Sequence, residues 1–121
     1  MSFSLTDPRF NDQKLVIDFD RYRNDRVAIS SVTDGDMPEP WAVFSVNIPD
    51  MVIPVDCVFI KDYGKNEGVA AMLIQGGIIE PGPVASKKLD YVEIHAYRLT
   101  PEAKLEAGLM EVDAPVRRPS P

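Results

Sequence analysis

The sequence is poor in the residue types that most often build reactive sites. It contains one cysteine, Cys57, and one histidine, His95, among 121 residues. A single cysteine cannot form an intramolecular disulfide, and one cysteine with one histidine cannot complete a structural zinc site. We therefore expect a reducing compartment, no metal and no cofactor. The nearby apolar residues Val55, Val58 and Phe59 predict that the Cys57 thiol is buried instead of reactive.

Long hydrophobic runs are also missing. No stretch approaches the roughly 18 apolar residues that span a bilayer, and the first residues lack a basic region followed by an apolar one. We therefore expect a cytoplasmic protein that does not bind membranes. The composition, 45% apolar and 26% charged, is ordinary for one globular domain. We assign residues 1–100 to a single domain and 101–121 to a C-terminal extension, a short helix followed by a disordered tail.

Positive charge is absent from one long stretch. Between Val27 and Ile60 there is no lysine or arginine, and the whole chain has a formal charge of −6, which disfavours contact with nucleic-acid phosphates. The stretch is either a solvated acidic edge or a docking face for a basic surface, where charge would speed association. Its five acidic residues are Asp34, Asp36, Glu39, Asp50 and Asp56.

Apolar residues in β-branched or alternating runs predict several strands. Asp34-Gly35 and two prolines between the second and third runs predict a hairpin loop. The residues before Lys14 are expected to be loosely ordered, and the Lys87-Lys88 pair is expected in a loop. The predicted strands are Lys14–Phe19, Val27–Thr33, Trp41–Ile48, Cys57–Ile60 and Tyr91–Leu99, with Ile78 and Ile79 re-entering the sheet.

Two helices follow from capping and spacing. Asn66 is the predicted N-cap of a helix over Glu67–Gln75, which ends at Gly76-Gly77. Thr100-Pro101 begins a short helix over residues 102–107. The predicted fold is α+β: an antiparallel sheet of five or six strands, one helix packed on one face, and a short C-terminal helical extension. The uncovered face would carry Trp41, Val43, Tyr91, His95 and Tyr97.

Familiar catalytic patterns are not evident. An enzyme would need His95 beside Cys57 or an acidic neighbour, and mid-strand His95 is more typical of an ordinary sheet-surface histidine. Asp34, Asp36 and Glu39 fall short of a calcium-loop pattern. Gly76-Gly77 follows a helix instead of preceding one, so it is not a phosphate loop. We predict that the chain is not an enzyme.

Three segments of the sequence carry a resemblance: Ala42-Val-Phe-Ser-Val-Asn-Ile-Pro49, Val58-Phe-Ile-Lys-Asp-Tyr-Gly-Lys-Asn-Glu-Gly68 and Leu73-Ile-Gln-Gly-Gly-Ile-Ile-Glu-Pro81. They resemble an uncharacterised bacterial family carried on conjugative plasmids, integrated elements and prophages. The similarity covers about residues 27–99 and departs at Lys65, Gln75 and Lys87-Lys88. The family has no established catalytic residues, and an alternative reason for the shared segments is that the fold needs their turn residues.

The resemblance implies an accessory protein of a mobile element that acts by macromolecular binding. Such proteins often inhibit host defence, and an anti-CRISPR type of inhibitor that blocks a basic surface of a host nucleoprotein complex is the expected role. The alternatives are a homodimeric structural or regulatory module and a small enzyme using His95. The predicted partner-binding residues are Asp34, Asp36, Met37, Glu39, Trp41, Tyr91 and Tyr97.

Overall fold

A computed structural model describes residues 3–8 and 12–109. In this part of the chain, eight strands form two four-stranded antiparallel sheets with two α-helices. The strand orders are β1-β2-β3-β4 and β5-β6-β8-β7. The elements are β1 (Ser4–Asp7), β2 (Gln13–Arg21), β3 (Val27–Thr33), β4 (Pro40–Val43), β5 (Ser45–Val46), β6 (Cys57–Ile60), α1 (Val69–Gln75), β7 (Ala85–Leu89), β8 (Val92–Arg98) and α2 (Pro101–Glu106).

The first sheet is a meander whose inward face carries the apolar alternation. Leu15 and Ile17 of β2 and Ile29 of β3 are buried, as the period-2 pattern predicts. The strands predicted over Lys14–Phe19 and Val27–Thr33 are confirmed. The expectation of a loosely ordered N-terminus is wrong for Ser4–Asp7, which pairs with β2 while Leu5 packs against the core.

The predicted strand over Trp41–Ile48 is broken at Phe44, and this break creates the second sheet. The Phe44 N–H donates to the Ile29 carbonyl at 2.8 Å, and the Phe44 carbonyl accepts from the Lys61 N–H at 2.8 Å. Phe44 therefore bonds to β3 on one side and to the segment after β6 on the other. The prediction of one sheet with five or six strands is wrong for this reason, although the α+β class is confirmed.

The second sheet contains a strand that the sequence did not reveal. Lys87 and Lys88, expected in a loop, lie in β7, which pairs with β8 through a two-residue turn at Asp90-Tyr91. Asp90 adopts a φ of +52°, a conformation that aspartate tolerates better than most residues. The predicted strands at Cys57–Ile60 and within Tyr91–Leu99 are confirmed.

Helix α1 begins two residues later than expected, and its cap is different. Gly68 is the N-cap residue, and the Asp62 carboxylate accepts from the Gly68 N–H at 2.7 Å and the Ala70 N–H at 3.1 Å. Asn66, the predicted cap, instead donates its side-chain amide to the Val43 carbonyl at 2.9 Å. A carboxylate six residues upstream satisfies the first amides, so Asn66 is not needed for that role.

Helix α2 confirms the short helix predicted after Thr100, whose hydroxyl accepts from the Ala103 N–H at 3.2 Å. Ala103 is fully buried in the core. The division of the chain at residue 100 stays a prediction. The tail predicted to be disordered, residues 110–121, lies outside the described residues.

Both faces of the second sheet are covered. The larger core, which includes Leu73 of α1, lies on one face, and a smaller cluster around Phe59 and Ile94 is covered on the other by Met51 and Ile53 of the β5–β6 loop. Arg26 holds that loop by donating to the carbonyls of Ile48 and Met51. No helix of the described residues is long and apolar enough to cross a membrane.

The predicted open aromatic face therefore does not form. Trp41 and Tyr97 are half-buried and pack against the larger core, and His95 is half-buried. The prediction assumed one sheet with one helix, whereas two sheets and a covering loop leave no such face. Val43 and Tyr91 are exposed, as expected, but Val43 lies in β4 of the first sheet and Tyr91 lies in the β7–β8 turn of the second.

Candidate functional site

An acidic hairpin loop projects between β3 and β4. Its residues from Asp34 to Glu39 are all exposed, and the Met37 side chain is 85% exposed. The base of the loop is fixed, because the Thr33 N–H donates to the Glu39 carbonyl at 2.9 Å and the Glu39 N–H donates to the Thr33 hydroxyl at 3.0 Å. The structure therefore places four predicted partner-binding residues on one tip: Asp34, Asp36, Met37 and Glu39.

Trp41 lies at the base of this hairpin, next to a β-bulge at Ser31 and Val32. Its indole N–H donates to the carboxylate of Asp7 at 3.4 Å, and Asp7 is fully buried at the end of β1. This contact joins the two edge strands of the first sheet, β1 and β4. Trp41 is therefore a packing residue as well as a partly accessible one.

A concavity on the outer face of the first sheet lies beside Trp41. It has a volume of about 390 Å³. Asp18, which sequence reasoning did not single out, contributes the charged side chain. The alternation that buries Leu15 and Ile17 already placed Asp18 on this outer face. The residues that line the concavity are Asp18, Ser30, Ser31, Val32, Pro40, Trp41, Ala42 and Val43.

The two predicted tyrosines belong to the second sheet, whereas the hairpin tip belongs to the first. Tyr91 is fully exposed in the β7–β8 turn. Tyr97 lies on β8, where burial raises the pKa of its phenol and the nearby Asp62 carboxylate raises it further. Tyr97 is thus chiefly a core-facing side chain near the start of α1.

The cysteine and histidine do not converge. Cys57 pairs in register with Arg98, and His95 pairs with Ile60, so the two side chains lie on opposite faces of the sheet. Burial, opposed by the charge of Arg98 and assisted by the Asp56 carboxylate, raises the pKa of the Cys57 thiol to about 11. The thiol is therefore protonated at neutral pH and is a weak nucleophile. The His95 Nδ1 is buried with no hydrogen-bond partner among the described residues.

Asp56 is the centre of a small ion-pair cluster beside Cys57. Arg98 donates from Nη1 to both carboxylate oxygens, at 2.9 and 2.8 Å, and the Lys104 ammonium lies 3.6 Å from one of them. Burial alone would raise the pKa of Asp56, but the hydrogen bond and charge of Arg98 hold it below its ordinary value. The cluster links the residue that precedes β6 to β8 and α2, so it stabilises the packing of these elements.

Comparisons with known proteins were made at the level of family, sequence and fold. No family model, curated protein or solved structure matches this chain. Within residues 3–8 and 12–109, no group of three histidine, cysteine, aspartate or glutamate side chains is placed to hold a metal ion. The acidic hairpin and the adjacent concavity are therefore interpreted from their own geometry.

Proposed function

We propose that this chain is an accessory protein of a mobile element that binds a basic surface of a host nucleoprotein complex, as an anti-CRISPR type of inhibitor does. The observation that carries the proposal is the exposed hairpin tip, which presents three carboxylates and an exposed methionine in one loop. The resemblance to a mobile-element family supplies the biological setting.

The charge pattern supports a binding role in physical terms. Because Val27–Ile60 contains no lysine or arginine, no cation of that segment can neutralise the tip from within its own strands. Acidic clusters of this kind steer basic partners and raise association rates. Met37 adds a flexible apolar side chain, the kind that adapts to partner surfaces.

The hairpin is also suited to presentation. Its ends are fixed by paired strands and by the Thr33 and Glu39 hydrogen bonds, so its charges are held away from the core at little further entropic cost. The Asp34 N–H donates to the Lys14 carbonyl at 3.1 Å, which ties the loop to β2 as well.

A plasmid-interference assay tests the inhibitor role. A host whose CRISPR effector targets a plasmid is transformed with that plasmid, with or without this protein. We expect the protein to restore transformation, and we expect Asp36→Lys with Glu39→Lys to abolish that rescue. A matched double variant, Glu93→Lys with Glu102→Lys, has the same charge change at exposed positions outside the hairpin and should keep the rescue.

Two outcomes would oppose the proposal. If the wild type restores no transformation against effectors of several types, the inhibitor role is wrong. If both double variants lose activity equally, overall charge is responsible and the hairpin is not the binding element.

A further inference from the structure

We propose that the concavity on the outer face of the first sheet binds one lysine or arginine side chain of the basic partner. This inference rests on the proposed function and adds a specific anchoring site beside the acidic hairpin. It assigns a role to Asp18 and Ser30, which lie outside the hairpin tip.

Strand register builds the site. Asp18 of β2 lies opposite Ser30 of β3, which lies opposite Val43 of β4, so their side chains form one row on the outer face. Val32 and Pro40 form part of the next row, and the bulge at Ser31 and Val32 interrupts the regular surface between them. The result is a local depression of about 390 Å³ instead of a flat sheet.

Two polar side chains of this depression, Asp18 and Ser30, are available to a ligand. Among residues 3–8 and 12–109, none makes a hydrogen bond or ion pair with the side chain of Asp18 or Ser30. A carboxylate and a hydroxyl together accept hydrogen bonds from an ammonium or a guanidinium group. The surrounding apolar residues suit the methylene stem of a long cationic side chain, with Val43 already 54% exposed.

The surroundings favour a cation over other ligands. Glu39 directly precedes Pro40, so the depression is continuous with the acidic hairpin along the chain. On the same face of β2, the cationic side chain among the described residues is that of Lys14, which lies four residues and roughly 13 Å along the strand from Asp18. By contrast, the groove of about 490 Å³ between β1 and α1 is lined by no charged residue among those described.

Nuclear magnetic resonance with two probes tests the site. N-acetyl-arginine amide probes the depression alone, and an arginine-rich decapeptide probes the whole acidic surface. We expect the arginine amide to shift the signals of the Trp41 indole and the Ser30 and Val43 amides in a saturable way. Uncharged N-acetyl-glutamine amide should not produce these shifts.

Matched variants distinguish a specific contact with Asp18 from general attraction to the negative charge of the protein. Asp18→Asn should weaken arginine-amide binding about fivefold, the loss expected for one partly exposed charge pair. Asp20→Asn removes the same charge two residues along the same strand face, from a residue that does not line the depression, and should leave affinity unchanged.

The outcomes distinguish this inference from the proposed function. If the decapeptide shifts only the hairpin signals and the arginine amide shifts nothing, the inference is wrong and the hairpin proposal stands. If neither probe binds, both are wrong. Equal weakening of arginine-amide binding by Asp18→Asn and Asp20→Asn would also overturn the inference. Shifts of the depression signals that depend on protein concentration alone would overturn it too, because they would identify a second copy of the chain as the occupant.

Discussion

At the scale of single residues, Asp56 shows how a charged group can stabilise the junction of three elements. Its carboxylate accepts two hydrogen bonds from Arg98 and lies near Lys104 of α2. Because these cations favour the ionised form, the pKa of Asp56 falls below its ordinary value despite partial burial. The group therefore links folding stability to pH in a definite direction.

Replacing Asp56 by Asn should lower the melting temperature by a few degrees at pH 7. The stabilising contribution is complete above the unfolded-state pKa, about 3.9, and is lost as pH falls through the lower folded-state pKa. The difference between wild type and variant should therefore shrink progressively as pH falls below about 3.9. Calorimetry across this pH range checks the prediction, with exposed Asp50→Asn as the control. A pH-independent difference would contradict it.

Cys57 should react slowly with thiol reagents in the folded protein. Its pKa of about 11 and near-complete burial leave little accessible thiolate at pH 8. We expect iodoacetamide to modify it readily only after denaturant is added, as measured by mass spectrometry. Rapid labelling of the native protein would show that the thiol is accessible and that its assignment as a core residue is wrong.

At the scale of elements, the junction of the two sheets depends on Ser45. Where the chain turns away from β3, the buried Ile29 N–H has no strand carbonyl opposite it and donates instead to the Ser45 hydroxyl at 2.9 Å. The Tyr22 hydroxyl also bonds to Ser45, at 2.8 Å. A side chain thus completes the hydrogen bonding that the broken strand cannot supply.

Ser45→Ala should destabilise the protein by about 1–3 kcal/mol, because it leaves a buried N–H without a partner. Tyr22→Phe removes only the hydroxyl contact and should cost less, about 0.5–1.5 kcal/mol. Urea unfolding of the two variants measures both losses. An equal or reversed ranking would mean that Ser45 does not serve as the acceptor for Ile29.

The β7 edge of the second sheet carries charges that oppose pairing between copies of the chain. No described strand pairs with the outer side of β7, and Lys87 and Lys88 occupy that edge. Charged edge residues discourage pairing between copies, because antiparallel association would bring like charges together. The edge therefore argues against a homodimer built through β7.

Lys87→Thr with Lys88→Thr should promote self-association at high protein concentration. Threonine removes the repulsion and has a higher strand propensity. Sedimentation should show a concentration-dependent shift for this variant and none for the control Lys14→Thr with Arg23→Thr, which has the same charge loss away from this edge. Association of the wild type through β7 would contradict the account.

Local sequence patterns predicted most strands but not their arrangement. Val27–Thr33 and Cys57–Ile60 were recovered because apolar side chains alternate or cluster there. Strand β7 was missed because Ala-Ser-Lys-Lys-Leu has neither signal, as suits an exposed edge. The break at Phe44 was missed because its cause is not local: the backbone of this one residue bonds to β3 and to the segment after β6.

The site was partly predictable for the same reason. A loop with Asp-Gly and two prolines identifies an exposed acidic hairpin from sequence alone. The participation of Asp18 depends on the register of three strands and on a bulge, which only the fold provides. Tyr97 was assigned to the surface because its strand alternates, yet two layers cover that strand.

At the scale of the whole molecule, the fold separates stabilising charges from available ones. Arg26, Asp56 and Arg98 hold loops and strands together through defined hydrogen bonds. The carboxylates of the hairpin and of Asp18 lie on the first sheet and its loop, outside the described hydrophobic core. This division is why we assign binding to that side of the molecule.

The most direct test of this assignment is the association rate of the purified protein with a purified CRISPR effector ribonucleoprotein, measured by surface plasmon resonance as salt is varied. The account predicts a rate that falls steeply as ionic strength rises, and a low-salt rate at least about tenfold lower for Asp36→Lys with Glu39→Lys. The control Glu93→Lys with Glu102→Lys should associate at nearly the wild-type rate. An unchanged low-salt rate for the hairpin variant would contradict the central claim.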